Sequence, residues 1–168
     1  MDTFFSSLNI VLGALCGLGG AIIQNNLLAK NTKKQLLATK LERAYVLCQL
    51  IYDGHKREIS NAKKNLPNNI PEYLNKRNHP GAEMSEVKLI LRGYAPNISN
   101  NLTFLDNGHE PLKLAFIELD EKINSGSIPT SVELSTLFKV YDNHLKTLSV
   151  GSNKVKADII NELNNLIK

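Results

Sequence analysis

From Phe4 to Ile23 the chain reads FFSSLNIVLGALCGLGGAII, 20 residues without one charged side chain. A helix of that length covers ~30 Å at ~1.5 Å per residue, the thickness of a bilayer's hydrocarbon core. A helix on the surface of a soluble protein keeps a polar face. Here only Ser6, Ser7 and Asn9 dilute the run, all near one end. A secretory signal opens on positive charge, whereas Met1, Asp2 and Thr3 precede this stretch. The lipoprotein pattern fails too, because Leu15 stands before Cys16 where a small residue is needed. The sequence therefore predicts a transmembrane helix over residues 4–23 that acts as a signal anchor. Cleavage near Gly19 to Ala21, which would release an exported soluble helical protein, stays open as an alternative.

Charge gives the orientation. Residues 1–65 carry nine Lys and Arg against four Asp and Glu, and residues 66–168 carry eleven against twelve. The excess follows the apolar run, at Lys30, Lys33, Lys34, Lys40 and Arg43. By the positive-inside tendency, residues 1–3 lie outside and the chain beyond the span is cytoplasmic, with the five basic residues against anionic headgroups. Frequent Asn, Lys and Ile are typical of AT-rich bacterial and phage genomes, so the expected membrane is a bacterial inner membrane. On the cytoplasmic side, Asn97 and Asn101 in their Asn-x-Ser/Thr contexts meet no glycosyltransferase. A nucleic-acid partner is not expected. The C-terminal part has no basic excess, and with no tryptophan and 6% aromatics there is little to stack on bases.

Gly13, Gly17 and Ala21 recur every four residues, with Gly20 beside them. Such a stripe lets helix backbones approach closely in lipid, either against a second copy or against another membrane protein. It is equally what an ordinary span contains. From Ala21 to Asp53 no proline or glycine interrupts a Leu-, Lys-, Gln- and Ala-rich sequence, which predicts a juxtamembrane stalk helix over residues 24–66. Leu37, Leu41, Ala44, Cys48 and Ile51 alternate spacings of four and three, and His55, Ile59, Ala62 and Leu66 prolong the series. A parallel coiled coil and packing against the chain's own domain both suit this seam. Leu36, Tyr45, Leu47 and Leu50 widen it towards the second. Asp53-Gly54 is a candidate kink, and Leu66-Pro67 should end the helix.

Residues 67–168 read as a cytoplasmic helical domain. After a loop over residues 67–81, in which PEYL can form one helical turn, a helix is expected from Glu83 to Tyr94. A connector, NISNNLTFLDNGHEP, then leads to a helix beginning at Pro111 and closed by Gly126. Thr130 or Ser131, with Glu133 completing a capping box, starts the next helix, and Ser152 opens the last. No period-two alternation predicts a strand. The expected fold is all-α, a small bundle of four or five helices that includes the stalk.

Chemistry is sparse. His55 and Glu58 can share a helix face near Asp53, while His79 and His109 lie in turn-like contexts where an imidazole is normally solvated. His144 follows Asp142 on an amphipathic helix, and Glu118, Asp120 and Glu121 form an acidic run suited to a solvated face. No His-x-x-x-His, Cys-x-x-Cys or Gly-x-Ser-x-Gly occurs, and GALCGLGG lacks the Lys-Ser/Thr of a phosphate loop. Cys16 and Cys48 read as small packed hydrophobes. The sequence implies no cofactor, no metal and no catalytic residue. It favours a membrane-anchored adaptor or regulatory protein whose domain binds a membrane or cytoplasmic partner. A membrane-tethered enzyme or toxin is the alternative, and it requires His55, His79 or His109 to converge with carboxylates in one place.

Overall fold

The computed structural model describes the backbone of residues 2–77 and 79–167 and the side chains of residues 24–77 and 79–166. The described residues are all-helical, with no strand: α1 (Asp2–Asn65), α2 (Ile70–Asn75), α3 (Gly81–Tyr94), α4 (Pro96–Ser99), α5 (Leu102–Asn124) and α6 (Ser131–Ile167). They form two compact units, Met1–Thr39 and Lys40–Lys168. In the first, the described side chains from Gln24 to Leu36 are exposed, and Thr32 and Thr39 hydroxyls donate to the Leu28 and Gln35 carbonyls. The side chains of the uncharged run 4–23, including Gly13, Gly17, Gly20 and Ala21, lie outside the described residues. Among the described residues no helix is long and apolar enough to cross a membrane.

In the second unit, α1 runs through Asp53-Gly54 without a break and ends at Asn65, before Pro67. Leu41, Ala44, Leu47, Cys48 and Ile51 are wholly buried. The core opposite them comes from Val87 and Leu91 of α3, Leu105, Leu112 and Phe116 of α5, and Tyr141, Leu148, Val155 and Ile159 of α6. Gly54 makes room for a neighbour, since a methyl there would stand 3.1 Å from the Pro80 ring.

Two expectations are overturned. Residues 97–111 are mostly helical, forming α4 and the first part of α5, so Pro111 lies inside a helix. Proline forfeits one ladder bond there. The turns before it are nevertheless held by burial of Leu102, Leu105, Gly108 and His109. Ser152 likewise opens no helix, because α6 is continuous from Ser131 to Ile167. Gly151 serves a close approach between helices. A Cβ on it would overlap the Phe104 carbonyl, and one on Gly108 would overlap the Leu148 backbone. The Ser152 hydroxyl donates to the Cys48 carbonyl of α1 at 3.1 Å, which makes it a tie between helices.

Helix ends follow local chemistry. Thr130 N donates to Glu133 Oε2 at 2.7 Å and Glu133 N donates to Thr130 Oγ1 at 3.3 Å, a reciprocal capping box at the start of α6. At the end of α5, Gly126 has φ of 80°, and Gly126 N and Ser127 N donate to the Ile123 and Lys122 carbonyls. That is a Schellman closure, and the positive φ is the reason glycine stands there.

Gly108→Ala and Gly151→Ala should each destabilise the fold by about 3 kcal/mol or more, since the added methyl meets backbone that no rotamer change can move. Gly93→Ala, helical and facing open space, should add about 0.5–1 kcal/mol. Denaturant midpoints of the three variants check this ordering.

Candidate functional site

The polar interior of the second unit starts on α1. His55 and Glu58 are three residues apart, so one helix face carries both. They are 0% and 3% exposed. From α5 comes His109, 2% exposed, with its Nδ1 2.9 Å from His55 Nε2. One ring therefore donates N–H to the lone pair of the other. The rings meet edge to face, with centroids 5.0 Å apart. Glu58 Oε2 lies 3.5 Å from His55 Nδ1, and Glu58 Oε1 lies 2.9 Å from His79 Nδ1 on the connector between α2 and α3. Both carboxylate oxygens and both Nδ1 atoms are buried, and none has an in-line hydrogen-bond partner among the described residues. The carboxylate is thus held mainly by charge and dipole between two imidazoles.

The network continues outward. Arg77 contacts both His79 Nε2 and the Asp120 carboxylate of α5. The Tyr73 hydroxyl of α2 donates to Asp120 Oδ1 at 3.0 Å. Asn61 Nδ2 donates to the Tyr73 carbonyl at 2.9 Å, tying α2 to α1. Phe116 closes one side, its ring 6.0 Å from that of His79 and 4.5 Å from that of Tyr141.

Electrostatics follows from this enclosure. Burial, and next the adjacent His55, push His109 down from 6.5 to about 4, so it is neutral at pH 7. Burial opposes the charge on Glu58, but His55 and His79 outweigh it and hold that carboxyl below its usual range. Burial raises the Cys48 thiol to about 12, which leaves it protonated and unreactive at neutral pH.

Three of the four histidines therefore converge. His79 and His109 do not occupy the solvated turns expected for them: His109 sits in the buried register of α5, and His79 covers Glu58. The contacts of the cluster do not involve His144, which is half-buried on α6. Asp53 is drawn instead to Gln49, at 3.1 Å. The acidic run is divided, with Glu118 and Glu121 exposed and Asp120 turned inward. Among the described residues no group of three or more His, Cys, Asp and Glu side chains is arranged to hold a metal ion. What the cluster can do is hold and exchange protons between buried rings.

The remaining sequence candidates are placed as follows. Leu41, Ala44, Cys48 and Ile51 of the stalk seam are wholly buried in the second unit, and Leu37 is half-buried. Lys30, Lys33 and Lys34 are exposed. Lys40 sits over the Tyr94 ring, 5.8 Å from its centroid, and Arg43 makes two bonds of 2.9 Å to Glu86. No known protein family, curated protein or solved structure matches the chain.

Glu58→Gln should cost about 1–3 kcal/mol at pH 7, the range for leaving buried polar groups, here the His55 and His79 rings, without their partner. Glu86→Gln, which breaks an exposed pair with Arg43, should leave the unfolding midpoint nearly unchanged. Urea titration of both variants makes the comparison.

Proposed function

We propose that this chain is a single-pass membrane-anchored helical adaptor, without catalytic activity of its own, that binds a membrane or cytoplasmic protein partner. The observation that carries the reading is the uncharged run 4–23 followed by Lys30, Lys33 and Lys34, all within helix α1. In this reading the run lies in a bacterial inner membrane, the three lysines meet the headgroups, and the helical unit is cytoplasmic. Lys40 and Arg43 complete the basic set further along the helix, where Lys40 sits over the Tyr94 ring and Arg43 pairs with Glu86. Gly13, Gly17, Gly20 and Ala21 would face a second copy or another membrane helix. Holding a partner at the membrane raises its effective concentration there.

The convergence of His55, His79, His109 and Glu58 favours a second reading, a membrane-tethered enzyme or toxin. Accessibility counts against it, since His55, His109 and Glu58 are at most 3% exposed and only His79 of the four, at 32%, meets solvent.

Crosslinking and pull-down of the full chain from native membranes, beside a Gly13→Leu/Gly17→Leu variant, tests the proposal. The expected result is a protein that stays in the membrane pellet through alkaline carbonate and gives a defined crosslink that the variant loses. Recovery in the soluble fraction with a shortened N-terminus would overturn the anchor and favour the exported alternative.

A further inference from the structure

In the largely apolar core of the second unit, α1 and α5 present two buried imidazoles to each other. His55 and His109 are both fully enclosed and joined by a single N···N contact of 2.9 Å. That contact holds one proton between two nitrogens and has no room for a second. Adding one either puts a cation in the core or places two cations side by side, and burial makes both expensive.

We propose that the His55–His109 contact is an acid-responsive joint, which ties α5 to α1 at neutral pH and opens on acidification to uncover the buried face of α1. The proposal concerns the second unit alone and is independent of the membrane anchor.

The charges around His109 decide whether this works. On α1, His55 faces it directly, and Glu58 stands behind His55. On α3, Lys88 acts on it but is bound to Asp106 at 2.7 Å. On its own helix, Glu110 favours a proton and Lys113 opposes one, and the two lie 3.5 Å apart. The α6 helix meets this stretch through the Leu148 backbone at Gly108, and its titratable groups nearest in sequence to Leu148 are the exposed Lys146 and the half-buried His144. From the connector, His79 and Arg77 reach the pair only through Glu58. Among the described residues Glu58 is therefore the carboxylate in line with the pair, and His79, 32% exposed, links it to solvent.

The sign is fixed by where the proton binds. His109 titrates near 4 when enclosed and near 6.5 when released. The joint is therefore fully closed above pH 6.5 and loosens as pH falls from 6.5 towards 4. Glu58 adds to the loosening below its released value. From the His109 shift alone, opening should increase about 20-fold between pH 7 and pH 5, and about 100-fold by pH 4.

Cys48, wholly buried and seven residues before His55 on the same face of α1, is the reporter. In the full chain carrying Cys16→Ser, its rate of reaction with 4,4′-dithiodipyridine is followed from pH 7 to pH 4. Each rate is normalised to that of the denatured chain at the same pH. The expected result is a rise of about 20-fold by pH 5. It should be largely abolished by His109→Gln, whose amide can still donate to His55 but does not titrate. Equal pH dependence in His109→Gln and the parent would overturn the proposal. A ring titration of His109 by NMR in the parent chain needs no variant to fold. A midpoint below 5 agrees with the joint, and one at 6.5 refutes it.

Discussion

Helix α1 turns Leu41, Ala44, Cys48, Ile51, His55, Glu58 and Ala62 to the interior, at alternating spacings of three and four residues. Two of these positions are polar, and a polar group at that depth costs free energy until it is partnered. That requirement organises the second unit. His55 is matched only if α5 lies in the register that brings His109 to it. Glu58 is matched only if the connector between α2 and α3 delivers His79 to it. Arg77 then reaches Asp120, which returns the network to α5. An apolar pair at 55 and 109 would pack in several registers, whereas an imidazole pair accepts one.

The depth of α5 is set next door. Gly108, immediately before His109, lets the α6 backbone approach at Leu148, and Gly151 on α6 does the same at Phe104. These two contacts fix α5 against α6, and the Ser152 bond to the Cys48 carbonyl fixes α6 against α1. The carbonyl keeps its place in the helix because an oxygen has a second lone pair to offer. The three long helices are therefore joined pairwise by two backbone approaches, one hydroxyl and one imidazole pair. Each depends on a residue type that its neighbours could not replace.

Much of this was legible in the sequence. The α1 series, its end at Leu66-Pro67, the end of α3 at Tyr94, the Thr130–Glu133 box and the Gly126 closure all rest on local chemistry, which a sequence carries in full. Pro111 misled because proline usually punctuates a chain, and Ser152 misled because a serine ahead of an apolar series reads as a helix cap. At 151 glycine answers to a neighbouring helix, which one-dimensional reading cannot see. The correcting signal was nonetheless present: Leu102, Leu105, His109, Leu112, Phe116, Leu119 and Ile123 keep spacings of three and four straight through Pro111. Read as one helix, that series puts His109 in the core. Nothing local marks His79, because its position depends on where a connector crosses α1.

The first unit poses the opposite problem. Its described side chains from Gln24 to Leu36 are exposed, with Leu27 at 56% and Leu28 at 57%. A helical segment of about 13 residues without tertiary cover is marginal in water, because nucleation is costly while each added residue gains a bond. Three asparagines in the segment weaken it further. The same helix enters a packed core at Leu41, so one end needs no nucleation of its own. On the proposed reading lipid supplies the other end at residues 4–23, where an unpaired backbone is intolerable and helix is enforced. The middle then needs only propagation, which Leu, Lys, Gln and Ala support without burying anything. A segment so placed is free to be polar and basic, and its composition can answer to the membrane surface rather than to a core.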